Sequence, residues 1–386
     1  MTNDLAIGVV GYGLRGSLAK YAHQPKQGSR VVALFDPSEA AQDRFRSDFG
    51  HDVKVHGSLD ELNPSELDAV FVLSPDYLHE EQAITLLRAG VAVYLEKPMA
   101  ITTEGCDRIL QTARQHQGKL YLGHNMRHMT FVREMKRRID AGDIGTPKVA
   151  WCRHFVGHGG DFYFADWHAE RKYGTSLLLQ KGAHDIDILH WLCGAYATEV
   201  SGIGDRLVYS PDQAGGDSTP WWQAEDRLTR WPPRSLRGLN PAMDVEDTSM
   251  INMRLANGVL ASYQQCHFTP DYWRNYTIIG TEGRIENFGN GGPGTVIRLW
   301  NRRHGYHAEG DASIPLEAET GPHGEADARI VAEFLQYVRE GGRTETSPVA
   351  ARYAVAAGCA GAESIRSGGA PVRVPPVDPK DAEYFG

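Results

Sequence analysis

Long apolar runs are missing from this chain of 386 residues. No segment approaches the roughly 20 consecutive apolar residues of a membrane-spanning helix, so no membrane partner is expected. Cysteine is scarce. Cys106, Cys152, Cys193, Cys266 and Cys359 are an odd, scattered set with no CxxC pair. That pattern implies neither a disulfide framework nor a zinc site; the cysteines read as buried thiols in a reducing cytosol, and no metal is expected. Basic charge is not in excess either: 40 Lys and Arg stand against 49 Asp and Glu, a formal net charge of −9. The basic residues are dispersed, which argues against nucleic acid and anionic membrane as partners. Internal repeats and low-complexity tracts are absent. Met1-Thr2-Asn3-Asp4 runs straight into a strand, and the expectation is of no signal peptide. These absences point to a cytoplasmic protein with a small-molecule ligand. At roughly 100–200 residues per domain the length suits two domains.

Glycine is plentiful, and its placement matters. Ala6-Ile7-Gly8-Val9-Val10 reads as a buried strand, followed by Gly11-Tyr12-Gly13-Leu14-Arg15-Gly16 and a helix from about Leu14 to His23. This is G-x-G-x-x-G in the strand–turn–helix setting that gives it physical meaning. Gly11 permits the tight turn, Gly13 lets backbone approach a pyrophosphate, and Gly16 allows close helix–strand packing. The helix amino terminus supplies N–H groups for the anion. The next strand, Ser29–Phe35, ends in Asp36, 23 residues after Gly13. That is near the ~20-residue offset of a carboxylate that holds an adenosine ribose. Capping of the following helix is the alternative role for Asp36. A carboxylate there repels a 2′-phosphate and favours NAD over NADP, although Arg15 could contact phosphate.

Strands near Val53–His56, Ala69–Leu73, Ala92–Leu95 and Leu120–Gly123 alternate with helices near Ser38–Phe49, His79–Ala89 and Thr103–His116. Such alternation means a parallel, doubly wound sheet. Its strand ends carry Asp36, Ser74-Pro75-Asp76, Glu96-Lys97-Pro98 and His124-Asn125. Lys97 follows a short apolar strand at the edge where open α/β sheets bind ligands, and a desolvated ammonium there can hydrogen-bond a reacting oxygen. Otherwise Glu96-Lys97 is a surface pair and Pro98 merely ends an edge strand.

After about Met126 the pattern changes. A basic helix, Phe131–Ala141, leads into alternating segments from Lys148, at Val245–Leu255, Gly258–His267, Tyr276–Ile279 and Val296–Trp300, with glycine turns between several of them. They read as a mostly antiparallel sheet, wet or oligomer-covered on one face. One long helix, about Ser176–Leu192, interrupts it, and helices Ala326–Glu340 and Pro348–Arg366 close the chain. Residues 205–245, with Trp221, Trp222 and Trp231, form either an arm for a neighbouring subunit or an aromatic rim for a sugar. On the long helix, Gln180 and Lys181 lie four and three residues before His184, on one face. A histidine flanked by Gln, Lys and Asp187 is a candidate acid or base.

Taken together, these residues resemble the glucose–fructose oxidoreductase/inositol dehydrogenase (Gfo/Idh/MocA) oxidoreductases. The resemblance covers essentially the whole chain. It rests on Gly11–Gly16, Ser74-Pro75-Asp76-Tyr77-Leu78-His79, Glu96-Lys97-Pro98, the helix with His184, and Gly280-Thr281-Glu282-Gly283. It implies an α/β subunit with a Rossmann domain over 1–125 and, over 126–386, an α+β domain with a large, mostly antiparallel open sheet for substrate and oligomerisation. It also implies a tightly held NAD and reversible oxidation of a secondary alcohol on a sugar or cyclitol. Lys97 would lie beside nicotinamide and substrate oxygen, His184 would accept the proton, and Lys97-Pro98 would be cis. Gln180 and Lys181 would orient substrate hydroxyls. The cofactor set implied is Gly11, Tyr12, Gly13, Leu14, Arg15, Gly16, Asp36, Ser74, Pro75, Asp76, His79, Glu96, Lys97, Pro98, Asn125 and, from the second domain, Trp167. A homodimer or homotetramer is expected. One departure stands out: where the family commonly has aspartate one turn before the histidine, this chain has Gln180, the mark of a variant subgroup.

The functional expectation is an NAD-dependent dehydrogenase of a sugar, sugar derivative or cyclitol. The alternative is a redox-assisted glycosidase, with Lys181, Asp185 and His168 as additional acid–base groups. A catalytically silent dinucleotide- or sugar-binding regulator is the reading from a different class.

Overall fold

The structure is a computed structural model and describes residues 4–157, 162–213, 238–319 and 325–386. It divides into two compact units. The first comprises 1–128, 321–352 and 377–386, the second 129–320 and 353–376. The chain therefore returns to the first unit near its end, which a single boundary at about residue 125 does not express.

In the first unit six strands form one parallel sheet: β1 (Leu5–Val10), β2 (Ser29–Phe35), β3 (Lys54–His56), β4 (Ala69–Val72), β5 (Ala92–Leu95) and β6 (Leu120–Leu122). Their order is β3-β2-β1-β4-β5-β6, so the winding reverses beside β1 and the glycine loop lies at the switch point. All four residues of β4 and of β5 are buried, as expected when helices cover both sheet faces. The returning helix Ala326–Glu340 supplies part of that cover: Phe334 packs edge-on against Phe71 and Tyr94, at 5.1 and 5.5 Å between ring centres. The expected helix after the glycine loop is shorter than its sequence suggests. It starts as a 3-10 turn, Leu14–Ser17, and continues only through Leu18–Tyr21.

The second unit is built on nine strands. They are β7 (Pro147–Phe155), β8 (Ala197–Asp205), β9 (Thr248–Leu255), β10 (Leu260–Cys266), β11 (Trp273–Gly280), β12 (Arg284–Phe288), β13 (Val296–Trp300), β14 (Ala312–Pro315) and β15 (Val372–Arg373). Their order is β14-β13-β12-β11-β7-β10-β9-β8-β15, antiparallel throughout except for the β7–β10 pair. β8 is the strand that its two glycines, Gly202 and Gly204, conceal in the sequence. Alternation holds elsewhere: along β7, Ala150, Cys152 and His154 are buried, while Trp151 and Arg153 face out.

The helix expected over Ser176–Leu192 is two helices, Leu177–Gln180 and Gly182–Cys193, with Lys181 at the break. Ser176 caps the first through its hydroxyl. At the second, Gly182 backs onto the ring of Tyr263, where a Cβ would come within 2.9 Å of the ring. Only glycine allows that approach without a shift, and the kink brings the helix start down onto the sheet. Of the expected 205–245 insertion, Trp221, Trp222 and Trp231 lie outside the described residues.

Candidate active site

In the first unit the glycine loop has the geometry a dinucleotide needs. Gly11 has φ +84°, and a Cβ there would meet Ser74 backbone at 2.8 Å. Around Gly13 a Cβ would meet no protein atom within 4 Å, which leaves its backbone open to a ligand. Gly16 packs on the ring of Tyr12 instead of on the strand. Asp36 is buried and uses both carboxylate oxygens on backbone: Oδ2 accepts from Tyr12 N–H at 2.7 Å and Oδ1 from Ser38 N–H at 2.8 Å. It ties the glycine loop to the end of β2. Each oxygen keeps a further lone pair for ribose. Helix capping falls to Ser38, whose hydroxyl accepts from Ala41 N–H.

Arg15, which could contact phosphate, is paired with two acids within the fold. Its guanidinium holds Glu96 through Nε at 2.8 Å and Asp327 through both terminal nitrogens, at 2.9 and 3.1 Å. A guanidinium spent on two carboxylates fixes the loop to β5 and to the returning helix. Asn125 joins the same network by donating to Asp327 at 2.9 Å. Glu96 then accepts from the backbone N–H of Lys97 at 2.7 Å, so the lysine leaves a clamped backbone. The Lys97-Pro98 bond is cis, as the resemblance implies. His79, expected beside the cofactor, is a buried clamp: its ring nitrogens lie 2.7 Å from Pro98 O and 2.9 Å from Ser74 O. Two carbonyls favour an imidazolium, but burial is the larger effect and lowers its pKa. Ser74 donates through its hydroxyl to Gln82 at 2.5 Å, and Asp76 is buried in the turn after Pro75.

The second unit places Gln180 and His184 in buried positions on either side of the helix break, and Lys181 at the break itself. The Lys181 ammonium lies over two tyrosine rings, 5.7 Å from the centre of Tyr163 and 5.4 Å from that of Tyr272. Trp167 stacks on His168 at 3.7 Å, and His168 Nδ1 is 2.5 Å from Asp166 Oδ1.

Asp185 differs most from its expected role. It is fully buried and ion-paired with Arg274, whose Nε lies 2.7 Å away, and it accepts from Tyr263 at 3.1 Å, from His154 Nδ1 at 2.9 Å and from the hydroxyl of Tyr276. Burial alone would raise its pKa, but Arg274 and His154 outweigh burial and hold it well below the ordinary carboxylate range. The ion pair with Arg274 and the surrounding hydrogen bonds favour the carboxylate form of Asp185. What it does is orient His154. With Nδ1–H donated to Asp185, the Nε2 of His154 is a lone-pair acceptor. Burial, then Arg274, pulls the His154 pKa down to about 3, so the ring is neutral.

Register explains the cluster. Arg274 on β11, His154 on β7 and Gln265 on β10 are neighbours across the sheet, all on the inward face. Just after β10, His267 is fully buried, and neither ring nitrogen has a hydrogen-bond partner among the described residues. An unmade hydrogen bond on a buried donor costs about 1–3 kcal/mol. Burial, then His154 and Lys181, lowers its pKa well below the ordinary value. His154, His267 and Arg274 are absent from the sequence expectation. The signal for His154 was there, a histidine at the inward position of an alternating strand.

Elsewhere, His304, His307 and Asp311 bring potential metal-ligating atoms within 4.8 Å. Asp311 is occupied by His304 at 2.7 Å and by the backbone N–H groups of Asn301 and Arg302, which accounts for this cluster without an ion. Among the described residues no helix is long and apolar enough to cross a membrane.

Known proteins resemble both units. Residues 5–124 match the model of the oxidoreductase family with NAD-binding Rossmann fold, and residues 132–286 match the GFO/IDH/MocA C-terminal domain. An inositol 2-dehydrogenase of Klebsiella pneumoniae is 32% identical over 49% of this chain and 54% of its own length. A 2,7-anhydro-N-acetylneuraminate hydratase of Mediterraneibacter gnavus is 29% identical over 54% of each. The chain thus matches just over half the length of these curated relatives. Among solved structures, a levoglucosan dehydrogenase in complex with NADH and levoglucosan superposes with TM-score 0.78 at 19% identity, covering 97% of this chain and all of that one. A scyllo-inositol dehydrogenase of Lactobacillus casei gives 0.71 at 22%, covering 97% and 99%. Likeness at these identities establishes a shared fold.

Proposed function

The chain belongs to the Gfo/Idh/MocA family of NAD-binding oxidoreductases, and from that premise we propose that it oxidises a secondary hydroxyl of a sugar, sugar derivative or cyclitol. The observation that carries the reading is the anchored lysine. Glu96, held by Arg15, fixes the backbone of Lys97 at the end of β5, in the same unit as the glycine loop. NAD, when bound, supplies the hydride acceptor. The glycine loop residues Gly11 and Gly13 would hold its pyrophosphate and Asp36 its adenosine ribose. Lys97 donates a hydrogen bond to the hydroxyl oxygen and stabilises charge as it develops there, an effect typically worth a few kcal/mol. His184 takes the hydroxyl proton. Gln180 and Lys181 orient neighbouring hydroxyls. Incubation with NAD⁺ and a panel of monosaccharides and cyclitols tests the reading through NADH formation; a panel without any turnover rejects it.

One observation favours a second reading. Lys181 and His168 are further ionisable groups in the same unit as His184, and a relative carries the name of a hydratase. A redox-neutral reaction needs such a group: the transient ketone acidifies the neighbouring C–H, a base removes that proton, the leaving group departs and is protonated, water adds across the double bond so formed, and hydride returns to the ketone. Aryl glycosides in the same panel would then release aglycone without net NADH.

We also infer a cytoplasmic homo-oligomer. Trp151, Met250 and Leu260 are exposed on strands β7, β9 and β10, on the sheet face opposite Cys152, Ile251 and Tyr263.

A further inference from the structure

Among the described residues the second unit holds a positive charge that is paired with no carboxylate. Lys181 has the rings of Tyr163 and Tyr272 beside it and no ion-pair partner among the described residues. The acid of the same cluster, Asp185, is already taken by Arg274. His154 and His267 are neutral, so they leave the excess charge in place.

The surrounding polar atoms form a complementary set. His154 offers an acceptor at Nε2, because Asp185 holds its Nδ1 proton. His267 is completely buried, with one donor and one acceptor nitrogen, neither of them matched by a partner among the described residues. The two rings beside Lys181 group the three: Tyr163 packs edge-on against His267 and Tyr272 edge-on against His154, each at 5.3 Å between ring centres. Lys181 is half-buried and Tyr272 beside it is 41% exposed, so this end of the group reaches solvent. A neutral sugar would satisfy the histidines and leave Lys181 without a counter-charge. A carboxylate bearing a nearby hydroxyl satisfies all three, and charge-assisted hydrogen bonds are roughly twice as strong as neutral ones.

Resting on the oxidoreductase reading above, we propose that the substrate is an acidic sugar. Its carboxylate is held by Lys181 and a ring N–H of His267, and an adjacent hydroxyl donates to Nε2 of His154. The opposing account is that the tyrosine faces alone hold the lysine by cation–π attraction. That account gives no preference for acids.

The test is calorimetric titration of the full chain with NAD⁺ present. The probes are D-glucuronate and D-galacturonate, compared with D-glucose and D-galactose, and N-acetylneuraminate compared with N-acetylmannosamine. At least one acid should bind tenfold or more tighter than its neutral counterpart. Lys181→Gln should abolish that preference and Lys181→Arg should keep most of it, while both retain wild-type NAD⁺ affinity as proof of folding. The proposal is overturned if no acid outbinds its counterpart, or if the preference survives in Lys181→Gln. Failure of the oxidoreductase reading shows separately, as absence of NADH formation and aglycone release across acidic and neutral sugars alike.

Discussion

Nδ1 of His154 lies 2.9 Å from Oδ2 of Asp185, and both side chains are fully buried. The pair comes from a strand and a helix that the sheet brings together, and Arg274 closes it from the next strand. Removing the carboxylate charge leaves Arg274 buried without compensation, and breaking a buried pair this way costs about 3–5 kcal/mol. Asp185→Asn should therefore shift the urea midpoint far down or prevent folding. A variant within about 0.5 kcal/mol of wild type would remove the pair from the account.

Acid should destabilise the protein early. Burial lowers the pKa of His79, His154 and His267 in the folded state, from the ordinary 6.5. Below that value the unfolded chain takes up protons that the folded chain refuses, so stability declines as pH falls from about 6.5. The expected slope is on the order of 1 kcal/mol per pH unit for each histidine. Above about pH 7.5 these groups contribute no slope. Denaturation at pH 7.5, 6.5 and 5.5 checks the sign; a flat profile across that range would show that the rings titrate normally.

Asp36 should discriminate between dinucleotides. Its carboxylate is fixed by the N–H groups of Tyr12 and Ser38, so it cannot swing away from a 2′-phosphate. NAD should bind roughly tenfold or more tighter than NADP, a difference of about 1.4 kcal/mol. Asp36→Ala should weaken NAD and narrow the gap. Equal affinities in the wild-type protein would sink the ribose assignment.

The exposed apolar residues on the outer sheet face call for a partner of the same kind. Light scattering at micromolar concentration should give a dimer or tetramer, and Trp151→Glu should lower the mass. A wild-type monomer contradicts this.

Much of the first unit was legible because its signals are local. The glycine loop, Asp36 and Glu96-Lys97-Pro98 each sit at a strand end, and the strand pattern marks those ends. What stayed hidden depends on distant partners. Arg15 is paired with Asp327, 312 positions away, and nothing near Arg15 announces that acid. Arg274 and His154 are 120 positions apart and meet through sheet register. The break at Lys181 was invisible because it arises from Gly182 settling on Tyr263, a contact that helical periodicity does not encode. His184 was singled out from neighbours on one expected helix, whereas Gln180 ends one helix and His184 lies in the first turn of the next.

The central claim is that Lys97 and His184 carry out hydride-transfer chemistry on a carbohydrate hydroxyl. The most direct measurement is the rate of NADH formation, and of aglycone release, by wild type, Lys97→Ala and His184→Ala over one panel of sugars, cyclitols and aryl glycosides. The account predicts turnover of at least one compound by wild type. Each variant should lose ~10²-fold or more in kcat, the usual cost of removing a positioned acid or base, while NAD⁺ affinity stays nearly unchanged. Full activity in either variant, or no turnover by wild type of any compound, would contradict it.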